Sequence, residues 1–301
     1  MKRRDFFKYS TATVILPTIT TTLNATNTFV EQPVFPTRIL KTKLLNIPKE
    51  KIVEEKVEVE ITKPEIKKIE PEPKTKIVKK DKFLEEKYIN DFISVREKLK
   101  FVQSHVGYGN FNVLSFDEML RIAKYSSKTS AFSKSELNFL ESIFYYDPSY
   151  HGFYGERISK NITDRINKKD INKIPRTGHY LFKGEPEKIY QKMKDDVGES
   201  LTLTSGVRSI VKQTKLFLDK LDSVDGNLSI ASKSLAPPAF TYHSIADFDV
   251  GKKGFGYANF TPRFALTEEF LKMRKLKYID MRYTINNKDG VRYEPWHVKI
   301  I

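Results

Sequence analysis

Apolar residues recur at three- and four-residue intervals through Tyr88, Phe92, Val95 and Leu99, and this period predicts a helix beginning near Phe83. Two later stretches, Ser115-Phe116-Asp117-Glu118 and Ser133-Lys134-Ser135-Glu136, place serine three residues before glutamate ahead of an apolar run. That is the capping-box pattern of a helix start. Together they predict a small helical subdomain over 83–155, closed by the aromatic, glycine-punctuated stretch from Tyr145 to Gly155. Beyond Pro175 the periods mix. Helices are expected over 187–194 and 209–221, and strands over 201–204, 246–250 and 291–301. Residues 156–301 therefore predict an α+β domain, a small antiparallel sheet with flanking helices.

The amino-terminal part follows a different pattern. From Lys49 to Lys82 the chain is largely Lys, Glu, Pro, Ile and Val, without an aromatic residue. Such a composition buries too little apolar surface to offset chain entropy, so 28–82 is expected to be a disordered linker. Its charges alternate in sign, which argues against a binding arm. The opening Met1-Lys2-Arg3-Arg4-Asp5-Phe6-Phe7-Lys8, followed by Val14, Ile15, Leu16 and Ile19, is too short and too threonine-rich to span a bilayer. Paired arginines before two aromatics and a weak apolar run resemble a twin-arginine export signal over 1–27, which implies a periplasmic location. A basic tail is the plainer alternative. No clear Ala-x-Ala cleavage site follows, so membrane anchoring through an uncleaved amino terminus stays open.

Composition narrows the chemistry. A hydrophobic share of 39%, with 21 Phe and 15 Tyr in 301 residues, excludes a wholly disordered chain. A formal net charge of +15 favours an anionic partner without choosing among nucleic acid, a membrane face and an acidic polymer. No recognised nucleic-acid motif is present. The absence of Cys removes disulfides, thiolate nucleophiles and cysteine zinc clusters together. Any metal must therefore rest on His, Asp or Glu, and there are only 5 His.

Groups able to bind a metal or an anion concentrate in four segments: Ser205-Gly206-Val207-Arg208-Ser209 with Gln213, Tyr242-His243 with Asp247 and Asp249, Arg282-Tyr283, and Tyr293-Glu294-Pro295-Trp296-His297. Two imidazoles and a carboxylate suffice to hold a catalytic zinc with a position left for water. Glu294, three residues before His297, is placed to take a proton from that water. The same segments resemble the VanY-type D-alanyl-D-alanine carboxypeptidases, zinc peptidases of LAS-type fold. The family's Ser-Gly-Tyr-Arg-Ser with a later Gln is matched by Ser205–Ser209 and Gln213. Its Ser-x-His-x-x-Gly-x-Ala-x-Asp is matched loosely by Thr241 to Asp249, with one residue fewer between His and Asp. Its Arg-Tyr and aromatic-Glu-Pro-Trp-His are matched by Arg282-Tyr283 and Tyr293–His297.

The resemblance implies a Zn2+ ion held by His243, Asp249 and His297, Glu294 as general base, and Arg208 on the substrate and its oxyanion. Ser205, Ser209, Gln213 and Tyr283 are expected to bind substrate. Asp247 and Asp249 both follow His243, and only one is expected on the metal. Aligned from the far side, Asp249 takes that place, and Asp247 is left either to support the ligands from behind or to stabilise the turn. The implied activity is a D,D-carboxypeptidase acting on peptidoglycan stem peptides. The alternatives are an endopeptidase cutting cross-links and a noncatalytic wall-binding protein. His105, His151 and His179 carry no partner pattern and are expected to be structural, and Trp296 to pack beneath the site.

Overall fold

The computed structural model describes residues 80–300. The export motif and nearly all of the expected linker lie outside them. No described helix is long and apolar enough to cross a membrane.

The first helices form where the periodicity places them. After a 3₁₀ turn at Glu86–Tyr88, α1 spans Ile89–Val106, followed by the short α2 at Tyr108–Phe111. Both expected capping boxes are formed: Ser115 opens α3 (Phe116–Tyr125) and Ser133 opens α4 (Lys134–Tyr145), each exchanging hydrogen bonds with the glutamate three residues on. Glu136 also receives Ser94 Oγ and a buried ion pair from Lys98 at 2.6 Å, which ties α4 to α1.

A hairpin that the periodicity does not reveal comes next, β1 (Ile171–Lys173) against β2 (Tyr180–Phe182). It is three residues a side, too short for a period to register. Helix α5 (Glu185–Val197) starts with proline in its first turn. Strand β3 (Leu201–Ser205) leads to α6 (Ile210–Asp222), capped by Ser209, and α7 (Leu228–Ser234), capped by Asn227. Then follow β4 (Phe248–Lys252), α8 (Glu268–Met273), β5 (Ile279–Met281) and β6 (His297–Ile300). The sheet order is β3-β4-β6-β5, antiparallel throughout. The strand expected over 291–301 is thus only its last part. Before it, the Arg292 and Glu294 amides bond to the carbonyls of Lys233 and Tyr283, outside the sheet, and Pro295 has no amide to offer.

One face of this sheet is apolar. Leu201, Leu203, Phe248, Val250, Ile279 and Val298 join α5 and α8 in a single cluster. A second cluster unites α1, α3 and α4 with α6, α7, Phe240, Tyr242, Tyr283 and Val291, so the amino-terminal helices pack directly on segments that lead into the sheet's opposite face. Gly206 lies where these parts meet, and a Cβ there would stand 2.0 Å from the Tyr180 carbonyl, so only glycine lets the hairpin approach.

Lys212, in the first turn of α6, is 6% exposed, and among the described residues its ammonium has no ion-pair partner. Burial and the nearby Arg208 lower its pKa to about 7. The unfolded chain binds the proton up to about pH 10.4, so this group costs stability that is recovered as pH rises from 7 to 10. Lys212→Met is expected to stabilise the fold by on the order of 2 kcal/mol at pH 6, with the gain shrinking towards pH 10. Urea unfolding of both proteins across that range measures it. An equal gain at every pH would show that lysine's charge is not the cause.

Candidate metal centre and substrate pocket

The strand register builds the site. Asp249 on β4 pairs with His297 on β6, and Phe248 with Val298, so both polar side chains stand on the face opposite the apolar cluster. On β3 the pairing shifts: Leu203 faces Val250, yet Ser205 faces Asp249. Two residues of β3 thus oppose one of β4, a bulge that turns Ser205 from the core face to the polar face. His243 arrives from a 3₁₀ turn, Tyr242–Ser244, ahead of β4.

His243 Nε2 lies 3.3 Å and His297 Nδ1 3.2 Å from Asp249 Oδ1. Donor atoms of the three residues all fall within 4.8 Å of one another, and all three residues are buried. Their outer hydrogen bonds settle which nitrogens face inward. His243 Nδ1 is 2.9 Å from the Gly206 carbonyl, which can only accept, so Nε2 presents its lone pair. His297 Nε2 is 2.9 Å from Asp247 Oδ2, which leaves Nδ1 facing Asp249. Asp247 is in turn held by Arg282 through two nitrogens, and the Arg282 guanidinium lies 3.5 Å from the centre of the Tyr242 ring. A carboxylate behind a ligating imidazole fixes its tautomer and ring plane.

Arg208 supports the other side. Its Nε donates to Ser205 Oγ at 2.7 Å, Nη1 to Gln213 Oε1 at 3.4 Å, and Nη2 to Asp249 Oδ2. Gln213 donates at 2.6 Å to the Ala236 carbonyl. Four residues expected to bind substrate have these contacts within the protein. Ser205 Oγ and Gln213 Oε1 accept from the guanidinium and hold it in place. Ser209 caps α6 through the Lys212 amide. Tyr283 sets its ring edge-on to His297, centroids 4.7 Å apart, and gives its carbonyl to the Glu294 amide. Trp296 packs as expected, in the sheet's apolar cluster.

Glu294 is buried with Oε2 3.9 Å from His297 Nδ1. The Glu294–Pro295 turn brings it to the same side as His297, which a continuous strand would prevent at that spacing. Burial, reinforced by the Asp249 charge, lifts its pKa to about 7. Burial and Arg208 lower His243 to about 4. Burial works against protonation of His297, yet the carboxylates of Asp247 and Asp249 outweigh it and raise its pKa to about 9. The Asp247 and Asp249 carboxylates therefore favour positive charge at His297, while His243 stays neutral. His243 Nε2 and Asp249 Oδ1 are buried without a hydrogen-bond partner. A divalent cation would satisfy both, and two imidazoles with one carboxylate are a set that zinc accepts.

Beside these donors is a small cavity of ≈ 70 Å³, lined among others by Ala236, Tyr242, Phe260, Arg292 and Trp296. Phe260 and Arg292 escaped the sequence reading. Phe260 lies outside every motif, whereas Arg292, two residues before Glu294, carries a charge that could have marked it. His179, expected to be structural, lies 3.3 Å from Asn112 Nδ2 outside this cavity.

Residues 184–301 match the family described as D-alanyl-D-alanine carboxypeptidase, VanY. No curated protein matches the chain. Among solved structures it is similar to a vancomycin-resistance D,D-pentapeptidase VanY with Zn(II), at 17% identity over 43% of this chain and 77% of that one, TM-score 0.33. It is likewise similar to the LD-carboxypeptidase LdcB, at 22% identity over 52% and 70%, TM-score 0.36. A third is the D,D-dipeptidase VanXYg with a D-Ala-D-Ala phosphinate analogue, at 19% identity over 45% and 60%, TM-score 0.34.

The two aspartates are expected to behave differently. Asp249→Asn should weaken zinc binding by more than about 100-fold, whereas Asp247→Asn should weaken it by about 10-fold and leave one ion per chain at saturation. Competition with a chelator of known affinity measures both. A metal-replete Asp249 variant beside a metal-free Asp247 variant would exchange their roles.

Proposed function

We propose that the protein is a zinc-dependent carboxypeptidase that removes the terminal D-alanine from peptidoglycan stem peptides, acting in the periplasm after twin-arginine export. The observation that carries this reading is the convergence of His243 Nε2, Asp249 Oδ1 and His297 Nδ1, two of them orphaned, beside a buried carboxyl group. The VanY match over residues 184–301 supplies the substrate class.

Zinc held by His243, Asp249 and His297 would polarise the scissile carbonyl and make hydroxide available near neutral pH. Glu294, with a pKa near 7, is suited to take the proton of the attacking water and return it to the leaving amine. Arg208 spends three N–H groups on Ser205, Gln213 and Asp249 and keeps two for the developing oxyanion. Because its fork is clamped in place, it meets that charge without reorganising. The anionic envelope also offers a partner for the chain's net charge of +15.

Purified protein incubated with a stem pentapeptide ending in D-Ala-D-Ala is expected to release one alanine, seen by mass, and to stop on addition of chelator. Glu294→Gln should keep its zinc and lose about 10²–10⁴-fold in turnover, because an amide cannot accept the proton. Cleavage only of cross-linked dimers would favour the endopeptidase. Parental turnover by the Gln variant would remove Glu294 as the base.

A further inference from the structure

A carboxypeptidase must distinguish a chain end from an internal bond, and the group that marks the end is the terminal carboxylate. Two guanidinium groups line the cavity, those of Arg208 and Arg292. Arg208 is 8% exposed, spends a hydrogen bond from each of its nitrogens within the protein, and has its charge matched by Asp249. It has no complete fork for a second carboxylate.

Arg292 is more exposed and keeps more of its donors free. Its side chain is 42% exposed. Nε lies 3.4 Å from Glu294 Oε1, the guanidinium stands 5.4 Å from the centre of the Trp296 ring, and the backbone amide is tied to the Lys233 carbonyl at 2.8 Å. Among the described residues, neither Nη1 nor Nη2 has a partner. The plane is thus held at one edge and from beneath, while the terminal edge keeps the paired N–H groups that match a carboxylate.

Resting on the proposed peptidase reading, we propose that Arg292 is the specificity-determining cation of this site, binding the terminal carboxylate of the peptide and so selecting free chain ends over amidated or internal positions. Its contact with Glu294 places that carboxylate beside the group that handles the proton, one residue's length from the bond to be cut. An anionic end adds a counter-charge at the terminal edge, which the Glu294 contact at Nε leaves open.

The test compares a stem tripeptide ending in D-Ala-D-Ala with its carboxyl-terminal amide, in binding to zinc-loaded Glu294→Gln protein by calorimetry and in turnover by the parental enzyme. Arg292→Met keeps a long side chain over Trp296 while removing the fork. It is expected to weaken binding of the free acid by about 10- to 100-fold, chiefly as a rise in KM, and to leave zinc content and amide binding little changed. Arg292→Lys should recover part of the loss. If the parental enzyme cleaves the acid and Arg292→Met retains the parental acid-to-amide preference, Arg292 is not the selector, although the peptidase reading stands. If the parental protein neither binds nor cleaves either peptide, the peptidase reading falls and this inference with it.

Discussion

Asp249 is 2% exposed in the middle strand pairing of a four-stranded sheet, and an ionised carboxylate there has to be matched by charge and hydrogen bonds. Much of the surrounding arrangement follows from that demand. Arg208 answers one oxygen, and the two imidazoles face the other. Arg208 in turn needs acceptors for its remaining donors, which Ser205 and Gln213 provide. The bulge in β3 exists at the position that makes this feasible, since a regular strand would send Ser205 into the apolar cluster with Leu203.

On the other flank, Asp247 repeats the requirement. It is 3% exposed and is matched by Arg282 and His297, and Arg282 is itself laid on Tyr242. Tyr242 and Tyr283 belong to the cluster that holds α1, α3 and α4, so the amino-terminal helices support the side of the site that carries Asp247. The same two layers that bury the carboxylates also enclose Glu294, and its raised pKa is a consequence of that enclosure.

Much of this was legible in the sequence because particular residues carry local signals. The capping boxes at Ser115 and Ser133 formed as expected, since a serine and a glutamate three apart satisfy each other's backbone whatever packs around them. The residues that converge on Asp249 were all contained in the motifs. Their division of labour was less legible: nothing in the run Ser205–Gln213 tells that Ser205 and Gln213 accept from Arg208 while Ser209 caps α6. The β1–β2 hairpin and β5 are three residues per strand, too short for a period. One hydrophobic cluster joins residues on both sides of position 155, and such long-range packing leaves no trace in local composition.

We propose that His243, Asp249 and His297 form one preorganised zinc site oriented by Asp247 and Arg208. Zinc-edge X-ray absorption on protein loaded with one equivalent, together with a crystal structure phased on the zinc anomalous signal, tests it most directly. The expected result is a single ion bound by His243 Nε2, His297 Nδ1 and an Asp249 oxygen, with zinc–nitrogen distances of about 2.0–2.1 Å and Asp247 kept on His297 Nε2. An ion bound through Asp247, or lodged elsewhere with these three side chains unchanged, would contradict it.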